Sequence, residues 1–120
     1  MAYRYFPDHE LQCHCGCGKH KMHPDFMTDL VNLREYLNFP LPLTSAWRCE
    51  SHNKDIGGYK GSRHLKGQAV DIQVHGEKAL QLLDALKTFG FNGVGVSAKG
   101  DFGDRFIHID QRLNDALWSY

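Results

Sequence analysis

SRHLKGQAVDIQV, residues 62–74, is the stretch on which the reading of this chain turns. A helix would stack His64 and Asp71 on one face two turns apart, but Gly67 and the β-branched Val70 and Ile72 argue against one. An extended run entered through a glycine turn fits better. Its alternation puts Ala69, Asp71 and Gln73 on one side and Val70, Ile72 and Val74 on the other. Asp71 therefore projects from a strand whose opposite face is core, with His64 at the turn before it.

Working outward, the order of elements is α+β. PDFMTDLVNLREYLN, from Pro24, spaces Phe26, Leu30, Leu33 and Leu37 at steps of four, three and four, an amphipathic helix with proline at its first position. FPLPLTSAW, with two prolines, reads as an edge strand or strand entry. ESHNKDIGG reads as a short helix stopped by Gly57 and Gly58, and GEKALQLLDALKTFG as a second amphipathic helix closed by Gly90. GVGVSAKGDFGDRFIHIDQR suggests two strands around a glycine- and aspartate-rich turn, and the tail NDALWSY a last helical turn.

In RFIHID, Phe106, His108 and Asp110 share one strand face, while Ile107 and Ile109 supply the core side. Neighbouring strands can bring His108 to Asp71, and His64 joins them from the turn. Two histidines and one carboxylate, with a fourth position left to water, make the ligand arrangement of a catalytic zinc rather than a closed structural one.

Composition narrows the class. A chain of 120 residues suits one domain with one core, and 14 basic residues against 14 acidic ones give no basic patch to recruit nucleic acid or an anionic membrane. No run approaches the roughly 18 apolar residues of a membrane span, and MAYRYFPDHE lacks the apolar region of a secretory signal. A soluble monomer is expected.

Beyond the ligands, TSAWRCESHNKDIGGYKGSRHLKGQAVDIQV followed by GVGV and DRFIHID resembles the zinc D-Ala-D-Ala carboxypeptidase family, peptidoglycan metallopeptidases that share a fold with lysostaphin-type enzymes and the hedgehog signalling domain. The family pattern S-x-H-x-x-G-x-A-x-D is met by Ser62, His64, Gly67, Ala69 and Asp71, and its later H-x-D by His108 and Asp110. The resemblance runs over residues 22–112. It implies one zinc peptidase domain over 1–120, with a Cys/His-rich segment at 1–22 and a catalytic core at 23–120. It also implies a small antiparallel sheet carrying two main helices, with zinc held by His64, Asp71 and His108 on the open sheet face.

The resemblance also assigns roles. Zinc would lower the pKa of a bound water toward about 7 and polarise the scissile carbonyl, and a general base should sit within hydrogen-bond reach of that water. Relatives commonly carry that base three positions before the last zinc histidine, where this chain has Arg105, which cannot act as one. Asp104 is the expected base and Asp101 the second candidate. In a straight strand, however, Asp104 is about 13 Å from His108, so it qualifies only if the chain bulges or curls at GDR. Arg48, in SAWR, matches a family arginine that binds substrate carboxylate or carbonyl groups, for which a guanidinium fork is suited. Its structural alternative is a pair with Glu50 or Asp55. Ser62 orients substrate or a ligand, or simply forms the turn. Asp110 either fixes a ligand or pairs with Arg112 or Arg48. Trp47, Tyr59 and Trp118 belong to the core rather than to a cleft.

CHCGCGKHKMH brings Cys13, Cys15 and Cys17 together, and Cys49 stands alone later. The spacing is not that of a zinc ribbon. A second, structural zinc on these four residues, a disulfide from Cys49 to one of the three, and free thiols all remain open.

Two function classes follow. One is a zinc metallopeptidase that cuts peptidoglycan stem peptides or cross-links, as D,D-carboxypeptidase or endopeptidase. Its compactness suits a phage or prophage lysis enzyme that stays cytoplasmic until lysis and then acts on the wall in the periplasm. The other is an inactive zinc-containing domain that binds peptidoglycan or protein.

Overall fold

The computed structural model describes residues 3–120. In chain order it forms helix α1 (Asp8–Leu11), helix α2 (Pro24–Leu37), strand β1 (Leu43–Ser45), helix α3 (Glu50–Asp55), a 3₁₀ turn at Arg63–Lys66, β2 (Ala69–Ile72), α4 (Gly76–Ala85), β3 (Gly93–Ser97), a 3₁₀ turn at Phe102–Asp104, β4 (Phe106–Asp110) and β5 (Ala116–Ser119).

The helix α2 starts where proline costs no hydrogen bond, and the His23 side chain caps it by accepting from the Asp25 amide at 3.2 Å. Asn38, in the left-handed region at φ 58, ends it. Its Phe26, Met27, Leu30 and Leu33 are buried, as the four-and-three spacing requires. The helix α4 stops at Ala85, short of Gly90, and the chain turns through residues 86–90 to bring Phe91 edge-on to Phe26, with ring centroids 5.4 Å apart.

The five strands lie in the order β1-β2-β4-β3-β5. β1, β2, β4 and β3 are antiparallel neighbours, but β5 runs parallel to β3, so the sheet is mixed rather than antiparallel. The tail expected to be helical is this fifth strand. The Asn92 side chain causes the change. Its Oδ1 accepts from Arg112 N at 2.8 Å and its Nδ2 donates to Arg112 O at 2.7 Å, while the Asn92 backbone carbonyl accepts from Ala116 N. The chain leaving β4 is thereby carried across the start of β3 and laid on its far edge. A four-residue strand, Leu117 exposed, is too short to declare a period.

One sheet face presents Val70, Ile72, Ile107 and Ile109 to the same core as the buried residues of α2 and α4. Phe6, Leu11, Cys13 and Met22 join that core, so the cysteine-rich segment is packed against the rest of the fold. The opposite face carries the polar groups considered below. No helix among the described residues is long and apolar enough to cross a membrane.

Candidate metal centre and its cleft

Register alone sets the first pair: Asp71 of β2 is directly opposite His108 of β4, and cross-strand partners point to the same face. His64 arrives from the 3₁₀ turn that Ser62 caps, its Oγ accepting from the His64 amide at 3.2 Å. The turn closes on Gly67 at φ 69, where a Cβ would lie 2.1 Å from the Lys21 carbonyl, so only glycine fits.

The hydrogen bonds fix which nitrogen faces inward. A carbonyl only accepts, so the 2.6 Å contact from His64 Nδ1 to Ala46 O places the proton on Nδ1 and leaves Nε2 directed at Asp71 Oδ1, 3.4 Å away. His108 places Nδ1 2.9 Å from the same Asp71 oxygen and donates from Nε2 to Asp110 Oδ2 at 2.7 Å. One ligand atom from each of His64, Asp71 and His108 lies within 4.8 Å of the others, and all three residues are buried.

Burial by itself would raise the Asp71 pKa, but hydrogen bonds and charge from the two histidines hold its carboxyl well below the usual range. Burial would lower that of His108, and the Asp110 and Asp71 carboxylates outweigh it and raise it. Asp110, fully buried, is tilted upward by burial, yet Arg112 and His108 bring it down to about 2. Arg112 grips it with two bonds, Nε to Oδ1 at 2.8 Å and Nη2 to Oδ2 at 2.5 Å.

Two imidazoles and a carboxylate, each aimed by a second partner, fit a zinc ion with a position left open. The Arg112–Asp110–His108 relay is the outer support that holds a metal-binding imidazole in one tautomer and orientation.

The family model for peptidase M15 matches residues 4–110. The chain belongs to the peptidase M15 family. These are metallopeptidases of the zinc D-Ala-D-Ala carboxypeptidase type. No curated protein matches the chain. The match includes all three candidate metal donors and ends at Asp110.

Of the three, His64 and His108 line an open cleft of about 750 Å³, and Asp71 is in contact with both of them. Arg48, Arg63, Lys66 and Arg112 give it a basic wall, and Tyr59, Trp118 and Tyr120 an aromatic one. Arg48 pairs with neither Glu50 nor Asp55. Its Nη1 donates to Asn53 Oδ1 at 3.2 Å, its Nη2 lies 3.8 Å from Asp71 Oδ2, and its amide donates to His64 O at 3.3 Å. Ser62 lines the cleft while capping the His64 turn. Asp110 takes Arg112, not Arg48, as its cation.

Asp104 is not brought to the donors of the M15 site. The chain does curl at GDR, but the curl is a 3₁₀ turn whose Asp104 N donates to Asp101 O, and the exposed Asp104 side chain lies beside Gly100. Neither Asp104 nor Asp101 lines the cleft, and Asp110 is the one carboxylate that does among the described residues. Arg105 turns back onto Gly100 O and the Phe102 ring.

Of the aromatics, Trp47 is buried, with Nε1 donating to Leu65 O, and Tyr59 is exposed on the rim. Trp118 is a wall of the cleft, a correction to the core reading. Its place depends on Gly95, where a Cβ would meet the indole Nε1 at 2.4 Å. A Cβ on Gly93 would likewise collide with Asp110 at 1.7 Å and with Arg112 Nε at 2.5 Å. The two glycines of GVGV leave a trough across β3 into which these groups fold. The sequence signal was the alternation: glycines on the face shared with His108, valines on the other.

Proposed function

We propose that this chain hydrolyses a peptide bond in peptidoglycan stem peptides or cross-links, as a D,D-carboxypeptidase or endopeptidase, and that it serves a phage or prophage in cell-wall lysis from the periplasmic side. The observation that carries the reading is the convergence of His64, Asp71 and His108, two of which, His64 and His108, line an open, basic cleft. Stem peptides are anionic through their carboxylates, and an open cleft admits a polymer.

His64, Asp71 and His108 would hold the zinc, which when bound lowers the pKa of a water toward about 7 and polarises a carbonyl. Arg48 is placed to receive a substrate carboxylate or carbonyl beside the Asp71 carboxylate, and Asn53 holds one arm of its fork. Arg112 keeps Asp110 ionised, and Asp110 keeps the His108 proton on Nε2, so that Nδ1 stays free to ligate. Tyr120 lines the same cleft, and its hydroxyl, shifted upward by desolvation, remains a proton-bearing donor at neutral pH.

Digestion of purified Gram-negative peptidoglycan by the zinc-loaded protein, with products read by mass spectrometry and His108→Ala as control, tests this. Free D-alanine, or split cross-links absent from the control, would support the reading and name the bond. The second reading is a zinc-containing binding domain without turnover. It is favoured by Arg105 at the position of the family base and by the lack of a second carboxylate on the cleft wall. Zinc-loaded protein that binds peptidoglycan and releases nothing would establish that alternative.

A further inference from the structure

Away from the cleft, the Cys13 and Cys49 sulfurs lie 3.7 Å apart and those of Cys49 and Cys15 3.8 Å, and all three fall within 4.8 Å of one another. Cys17, two residues beyond Cys15, lies outside this group of three. Cysteines 36 residues apart in sequence have thus been gathered to one point.

We propose that Cys13, Cys15, Cys17 and Cys49 hold a second, purely structural zinc.

Distance favours a metal over a disulfide. A disulfide needs sulfurs about 2.0 Å apart, whereas a tetrahedron with zinc–sulfur bonds of about 2.3 Å has edges of about 3.8 Å. The two separations from Cys49, to Cys13 and to Cys15, match those edges, and Cys17, exposed between Gly16 and Gly18, is the donor that would close in as the fourth. Local backbone serves the same end. Gly16 at φ 91 and Gly18 at φ 70 coil the segment, and Cys13 N closes it onto Lys19 O at 3.0 Å. Amide donors are turned toward sulfur: Cys49 N to Cys13 Sγ and His52 N to Cys49 Sγ, each at 3.4 Å. Such bonds support the charge of metal-bound thiolates. Four sulfurs also complete zinc's coordination, the closed arrangement of structural sites, where the cleft leaves a position open.

The fold shows what such a zinc would secure. Among the described residues before α2, α1 is the only helix, yet Phe6, Leu11, Cys13 and Met22 pack on the core. Cys49 adjoins Arg48, so the metal would tie this segment to the loop that delivers the guanidinium to the cleft. The two sites share no residue, and the inference stands whether or not the chain cuts peptidoglycan.

The test is metal analysis and cobalt substitution of the full chain purified under reducing conditions. Two zinc ions per wild-type chain and one in His108→Ala are expected, with thiols that resist a thiol reagent until zinc is stripped. The wild-type cobalt form decides even if His108→Ala fails to fold, because the cleft has no sulfur ligand: strong thiolate-to-cobalt charge-transfer absorption in the near ultraviolet is expected. Cys17 is exposed, so Cys17→Ser should fold, lose about a quarter of that absorption and bind zinc at least about tenfold more weakly. Absence of the band, freely reactive thiols in zinc-loaded protein, a Cys49 disulfide formed in preference to metal, or an unaltered Cys17→Ser spectrum would overturn the proposal.

Discussion

The Trp118 indole lies across Gly95 and reaches His108, with ring centroids 5.2 Å apart. A strand position without a side chain is thus what lets an edge-strand aromatic touch a metal donor two strands away. Gly95→Ala should push the indole off His108. The overpacking costs roughly 1–3 kcal/mol, and Trp118 fluorescence should shift while the zinc donors stay intact. Equilibrium unfolding and the emission spectrum check this; an unchanged spectrum with unchanged stability would sink it.

Asp110→Asn keeps shape but removes the carboxylate that receives the His108 Nε2 proton and both Arg112 bonds. Zinc affinity should fall by roughly 10–100-fold, the usual cost of losing such outer support. Competition with a chromophoric chelator measures it. Affinity equal to wild type would show that His108 needs no help.

Arg48→Lys retains a charge near Asp71 but not the fork that spans Asn53 and a bound carboxylate. Zinc content should stay at the wild-type level while KM for a stem peptide rises about tenfold or more, the weight of one charge-assisted hydrogen bond. Wild-type kinetics would reduce Arg48 to a structural partner of Asn53.

Asp104→Asn should leave peptidoglycan hydrolysis within about twofold of wild type, as expected for an exposed residue outside the cleft. A loss of a hundredfold or more would mean that residues 98–105 fold over the donors during turnover and carry Asp104 with them.

The convergence of the three candidate donors was legible because two short-range signals coincide: period-two alternation in QAVDIQV and RFIHID, and a glycine turn before the first. Alternation assigns a residue to a face without knowledge of its neighbours, and pairing β2 with β4 did the rest. α2 was legible for the same reason at period 3.6. What sequence could not show were relationships made by the path between elements. β5 is parallel because Asn92 redirects the chain after Arg112. Asp104 stays outside the cleft because the curl at GDR is a 3₁₀ turn that holds it beside Gly100. Trp118 is a wall because of glycines more than twenty residues earlier, a dependence invisible within any local window.

The contact between Gly67 and Lys21 bears on how this protein can be cut down. His23 N donates to Gly67 O at 3.0 Å, and the Lys21 carbonyl fills the space a Gly67 side chain would need, so the loop that presents His64 rests on a stretch of chain before α2. A truncated version beginning at Pro24 would keep every residue of both ligand motifs yet strip the brace from one of them. Its loss of metal would then report on scaffolding rather than chemistry, and the minimal unit for engineering this fold includes the stretch from Lys21 to His23.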